Sequence, residues 1–198
     1  MNELESLLQK PPEAAPDDAV RRAVERAAGA GVVDVGYASH DSPVGRLLLA
    51  ATRRGLVTIA FPQRGEDAVV SELARRISPR VVELPRRLDA IRRELDEYFA
   101  GTRTSFEHPV DWSYVAGFSR RVLRATTRIP YGRVETYRSV AAAAGSAKAV
   151  RAAGNALGAN RVPIVVPCHR VIRTGGGLGG YTGGLEVKSF LLELEGVA

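Results

Sequence analysis

The chain carries a single cysteine, Cys168, inside the run Val165-Val166-Pro167-Cys168-His169-Arg170-Val171. A thiolate is the reactive form of cysteine, and it needs a base or a local positive potential to form. His169, Arg170 and Arg173 follow closely enough in sequence to supply that potential. A lone cysteine is more often a small buried hydrophobe, and neighbours on an extended strand face opposite ways. Cys168 and His169 can therefore cooperate only if the chain turns here or a water links them. Pro163 and Pro167 favour a strand that ends over one that continues. A third group stands near the C-terminus. Val187, Phe190, Leu191 and Leu194 are spaced i, i+3, i+4, i+7, the mark of a buried helical stripe, and Glu195 falls at its edge. A carboxylate there is unusual unless paired; the alternative is a solvated helix end. Nucleophile, base and orienting carboxylate together follow the logic of a catalytic triad.

A second feature lies upstream. Residues 136–157 read as helix, glycine-containing turn and helix, the spacing of a helix-turn-helix that sets its second helix against DNA. In that second helix Ala147, Ala149, Ala152, Ala153, Gly154 and Ala156 are small, and Lys148 and Arg151 are the only long side chains. Such a helix can approach a backbone closely while one arginine projects. The bland alternative is an alanine-rich packing helix.

These groups need elements to hold them. Residues 1–31 read as an extension, with a loop at Pro11–Pro16 and a helix near Asp18–Ala28 that stops at Gly29. A small meander follows, with strands at Val32–Tyr37, Arg46–Thr52 and Leu56–Phe61. Helices are expected at Glu66–Ile77 and Pro85–Ala100, the latter stopped by Gly101. Phe106–Trp112 is a connector and a domain boundary, giving domains at 32–112 and 113–198. Beyond it the reading is mainly helical, with a helix up to Pro130, a turn at Tyr131–Val134, a Thr136-capped helix to Ala144, and a helix at Ala147–Leu157. Val162–Pro167 is expected to be short, buried and extended. Thr174–Gly184 holds seven glycines in eleven residues and is a shaped loop. Leu185–Glu195 closes the chain as a helix.

Composition narrows the class. The 198 residues, 45% hydrophobic and 25% charged, are enough for a globular core. No apolar run reaches the ~18 residues of a membrane helix, and Met1–Lys10 lacks a basic leader, so a cytoplasmic protein is expected. One cysteine excludes an internal disulfide and a multi-cysteine zinc site, and with only His40, His108 and His169 no metal is expected. The net charge of +6 is unevenly spread. Phe118–Arg173 holds eleven Lys/Arg against one acid, Glu135, a balance of +10, while the segments on either side are each −2. A basic block of this kind suits a surface that meets phosphates.

From Asp41 to Gly196 the sequence resembles the alkylguanine-DNA alkyltransferases, the methylated-DNA–protein-cysteine methyltransferases. The resemblance rests on Ser42-Pro43-Val44-Gly45, Glu94–Gly101, Ile129–Val134, Val165–Ile172 and Gly180–Leu185, followed by Lys188, Leu191, Leu192 and Glu195. It implies a mixed α/β (α+β) fold: an N-terminal ribonuclease-H-like antiparallel sheet with a helix, and a C-terminal helical domain with the helix-turn-helix. It also implies roles. Cys168 accepts the alkyl group, His169 acts on it through a bridging water, Glu195 orients His169, and Asn160 braces the turn before the active site. Tyr137 helps rotate the nucleotide and protonate the leaving guanine. Arg151 fills the gap in the base stack. Lys148, Ser139, Ala152 and Arg170 are the further DNA contacts expected. Val171, Tyr181 and Thr182 line the base pocket, with Lys188 nearby.

The expected partner is double-stranded DNA, approached from the minor groove without sequence readout by a monomer that could act cooperatively. The expected substrate is O6-alkylguanine, with O4-alkylthymine left open, and no cofactor is implied. Leu123 stands where the family often has tryptophan, and Arg161 where it often has proline. Two other readings compete: a non-catalytic binder that flags alkylated DNA for another pathway, and a helix-turn-helix regulator with an incidental thiol. Cys168 argues against the first, and the small-residue helix argues against the second.

Overall fold

A computed structural model of the chain describes residues 17–197. They divide into one unit ending at Val33 and another from Asp34 onward. The first contains α1 (Asp17–Gly29), the helix expected there. The Pro11–Pro16 loop lies outside the described residues.

The second unit opens with a four-stranded sheet, β1 (Val35–His40), β2 (Leu47–Thr52), β3 (Gly55–Ala60) and β4 (Val81–Glu83), in the order β3-β2-β1-β4. β1–β2 and β2–β3 are antiparallel, and β4 joins β1 in parallel. The strand expected from Val32 starts only at Val35. β4 went unread because three residues are too short to display alternation. Along β2, Leu47, Leu49 and Ala51 enter one core, while Leu48 and Ala50 enter another with Val69 and Leu73 of α2 (Glu66–Arg76). Both faces are covered, which is why β2 reads as an unbroken apolar run.

α3 (Asp89–Phe99) packs Ile91, Leu95 and Tyr98 into the first core. It begins later than the sequence suggests, because Pro85–Leu88 forms a 3₁₀ turn. Gly101, at φ +73°, ends it by taking the left-handed conformation that other residues resist.

The C-terminal half contains α4 (Gly117–Thr126), α5 (Tyr137–Ala143), α6 (Val150–Gly158) and α7 (Leu185–Leu194). β5 (Glu135–Thr136) and β6 (Val171–Ile172) pair in parallel. Val122, Val140, Ala153, Leu157 and Leu191 share the core of the sheet and α3, and Leu123 is buried there too. Thr136 caps α5 as expected, accepting from the Ser139 N–H at 3.1 Å. Two expectations need correction. The second helix of the helix-turn-helix starts at Val150, since Ala149 N–H closes a turn onto Ser146 O and Lys148 stands in that turn. Val162–Val166 is coiled rather than extended, with Val166 N–H bonded to Val162 O at 2.9 Å and Ile164 at φ +73°. No described helix is long and apolar enough to cross a membrane.

Candidate active site

The coiled segment explains how Cys168 and His169 can act together. Ile164 is a β-branched residue held in the left-handed region, a strained state that needs support from its surroundings. Asn160 supplies that support. Its Oδ1 accepts from Val162 N–H at 3.1 Å, and its Nδ2 donates to Val166 O at 2.9 Å and to Cys168 Sγ at 3.0 Å. Cys168–Arg170 then forms a single 3₁₀ turn, with Arg170 N–H bonded to Pro167 O. The chain turns at the thiol, and this lets two sequence neighbours belong to one site.

Glu195 is 4% exposed, so the solvated helix end is excluded. Its carboxylate accepts five hydrogen bonds: from His169 Nε2 at 2.9 Å, Arg170 Nη2 at 2.8 Å and Tyr98 Oη at 2.7 Å on Oε1, and from Arg170 Nε at 2.8 Å and Gly132 N–H at 3.3 Å on Oε2. Burial alone would raise the Glu195 pKa, but the bonds from His169 and Arg170 outweigh it and bring the group down to about 2. His169 is fully buried, and burial lowers its pKa against the opposing pull of Glu195. The imidazole is therefore neutral. Nε2 faces Glu195, and Nδ1 has no hydrogen-bond partner among the described residues.

Burial pushes the Cys168 thiol up to about 11, opposed by the Asn160 bond and the Lys188 charge. The resting group is a thiol. The positive potential expected from Arg170 and His169 does not produce a thiolate, since Arg170 is ion-paired to Glu195 and His169 is neutral. Cys168 is 6% exposed, yet it borders a cavity of about 270 Å³ lined with Tyr137, Gly154, Leu157, Gly158, Gly180, Tyr181 and Thr182.

The glycine-rich loop shapes that cavity. A Cβ on Gly179 would stand 2.5 Å from Tyr137 Oη, and one on Gly183 would stand 2.8 Å from the Phe61 ring. Tyr181 packs edge-on against Phe61 and His169, at 5.8 and 6.3 Å between centroids. Lys188 is fully buried and donates to Val171 O at 2.6 Å and to Leu178 O, tying the loop to β6. Burial lowers its pKa to about 8.

Several expected placements change. Tyr137, Tyr181 and Thr182 line the cavity, whereas Val171 and Lys188 are fully buried behind it. Arg170, expected at the DNA surface, is instead buried, and its guanidinium is held by Glu195 and by Ile129 O at 2.7 Å. Ser139, Lys148, Arg151 and Ala152 are all exposed around the helix-turn-helix. The inward stripe of α7 is Lys188, Leu191 and Leu192, continued by Glu195, while Val187, Phe190 and Leu194 flank it half-buried. Sequence reading also missed Tyr98 as a site residue, since nothing local links it to a carboxylate 97 residues away.

Comparison with known proteins agrees with this geometry. Residues 35–112 match the ribonuclease-like domain of 6-O-methylguanine DNA methyltransferase, and residues 117–197 match its DNA-binding domain. The constitutive methylated-DNA–protein-cysteine methyltransferase of Bacillus subtilis is 37% identical over 168 residues, 82% of this chain and 96% of that protein. The Methanosarcina acetivorans methyltransferase of the same name is 38% identical, covering 81% and 97%. The crystal structure of Mycobacterium tuberculosis OGT in complex with DNA aligns with a TM-score of 0.69 at 36% identity, covering 81% of this chain and 92% of that one. The chain belongs to the 6-O-methylguanine DNA methyltransferase family and is a DNA-binding enzyme of the methylated-DNA–protein-cysteine methyltransferase class.

Proposed function

We propose that the protein repairs O6-alkylguanine in double-stranded DNA by taking the alkyl group permanently onto Cys168 after the base is swung out of the duplex. The observation that carries this reading is a buried thiol on the wall of a 270 Å³ cavity, beside a neutral histidine oriented by a carboxylate. A cavity of about 150 Å³ already admits benzene, so this one has room for a purine. An O6 atom inside a stacked duplex is out of reach, and flipping costs a few kcal/mol, least for a damaged base. The exposed Arg151 in the first turn of α6 suits insertion into the vacated stack, and the small residues around it suit close approach in the minor groove.

The reaction is a displacement at the alkyl carbon. The S–C bond forms as the C–O6 bond breaks, and the bond's electron pair leaves with guanine. The thiol proton passes through a water to His169 Nδ1, and the leaving guanine gains a proton with help from Tyr137. The product is a thioether, and no group in the site is suited to cleave it, so each molecule acts once. O4-alkylthymine is a second lesion to assay on the same site.

Mass spectrometry after incubation with O6-benzylguanine tests the proposal. One benzyl adduct is expected, on Cys168, and none on Cys168→Ser. An unmodified wild-type protein that still binds alkylated DNA would point to a binder instead. Arg151→Ala should slow repair of duplex DNA far more than reaction with the free base; equal losses would exclude insertion into the stack.

A further inference from the structure

The carboxylate that orients His169 is itself held by a residue from the other half of the fold. Tyr98 lies on α3, beneath the sheet, and is fully buried. Its ring is fixed among Phe99, Phe106 and Tyr131, with centroids 5.5, 5.3 and 6.2 Å away. Its hydroxyl donates at 2.7 Å to Glu195 Oε1, the same oxygen that receives His169 Nε2. We propose that Tyr98 is a positioning residue of the alkyl-transfer site, which aims Glu195 at His169 and holds down the proton affinity of the imidazole.

The argument concerns charge as well as geometry. A carboxylate stabilises an adjacent imidazolium with whatever negative charge its other hydrogen bonds leave concentrated on it. A phenol donor on the shared oxygen draws some of that charge away. Burial raises the Tyr98 pKa far above its usual value, so the phenol remains a donor throughout the working range. The other groups facing this pair are Arg170 on the same turn, Lys188 on α7, Tyr181 on the loop, and Tyr131 after α4, whose hydroxyl is bonded to Leu194 O at 2.8 Å. Arg170 Nη2 already donates to Oε1 at 2.8 Å with the Tyr98 hydroxyl in place, so removing that hydroxyl takes one of three donors from this oxygen.

This inference rests on His169 being the base, so the experiment keeps the two claims apart. Single-turnover rates of the full chain with O6-benzylguanine are measured from pH 5 to 9. For the wild type the rate rises with pH as His169 loses its proton. Tyr98→Phe should slow the plateau about tenfold, as expected for losing a hydrogen bond to a charged group. It should also move the acidic limb up by about half a unit, because the less dispersed carboxylate favours imidazolium. Phe106→Leu is the control for packing. It should lower thermal stability and leave the limb where it is. A Tyr98→Phe limb that coincides with wild type, or a Phe106→Leu limb that moves equally, overturns the proposal even if rates fall. A wild-type protein that forms no adduct would instead overturn the enzymatic reading beneath it.

Discussion

A thiol whose proton is retained up to about pH 11 behaves unlike an activated cysteine. Alkylation by iodoacetamide should therefore be slower than for a free cysteine at pH 8, and its rate should still be rising at pH 10. O6-benzylguanine, held beside His169, should react without that delay, and a profile in which both reagents follow one thiol pKa would contradict this. Glu195 makes a different prediction. Its folded pKa of about 2 lies below the unfolded value of 4.5, so its contribution is complete above pH 4.5 and disappears as pH falls toward 2. The difference corresponds to about 3 kcal/mol. Urea unfolding should find Glu195→Gln less stable by about that amount at pH 7, with the gap closing between pH 4.5 and pH 2. His169 adds to the acid sensitivity, because burial lowers its pKa and the unfolded chain binds that proton more readily. Residue type and spacing made Cys168, His169 and Glu195 candidates but left a buried hydrophobe and a solvated helix end as alternatives; their roles came from the family resemblance. Arg170 was misread because a sequence reveals an arginine beside a reactive cysteine but not the carboxylate 25 residues later that neutralises it.

The site is assembled from elements that are weak by themselves. The Val162–Val166 coil holds a strained Ile164 and is tied down by Asn160, so Asn160→Ala should loosen it and remove the bond that lowers the thiol pKa. Leaving a buried N–H and C=O unpaired costs roughly 1–3 kcal/mol each. Two prolines made this segment look like a terminated strand, whereas the side-chain bonds that coil it come from outside the segment and leave no periodic signal. The glycine loop was recognisable as shaped, but its partners were not. Gly183→Ala would drive a methyl into Phe61, a rigid ring that cannot step aside, and the loop must lift. Overpacking of this kind costs about 1–3 kcal/mol. Limited proteolysis should then cut within residues 174–184 faster than in wild type, and the O6-benzylguanine rate should fall. A variant with unchanged cleavage and rate would mean that the loop does not shape the pocket. The β2 and β3 strands were readable because both faces are buried, while the helix after the turn was placed three residues early because Ala147–Ala149 has helical composition and folds as a turn.

Over the whole molecule, the basic block of 118–173 is smaller as a surface than as a sequence. Arg170 is consumed by Glu195, and Arg161 pairs with Glu72 of α2, which also binds Arg64. The Arg161 carbonyl further accepts from Ile59 N–H on β3 at 2.7 Å. The Arg161 side chain thus ties the Asn160 turn to α2 through Glu72, a use that charge counting cannot separate from phosphate binding. The remaining cations are the ones expected to meet phosphates, and salt would separate their roles. Each phosphate neutralised contributes about 0.9 to the slope of log K against log salt. Lys148, exposed in the turn before α6, should lose about one unit of slope on mutation to alanine if it meets a phosphate. Arg151→Ala should weaken binding to a duplex containing O6-methylguanine while leaving the slope nearly unchanged, because a side chain inserted into the base stack displaces few counterions. Fluorescence anisotropy between 50 and 200 mM salt would distinguish them. Equal slope losses for the two variants would make Arg151 another phosphate contact, and the proposed extrusion of the damaged base would then require a different wedge.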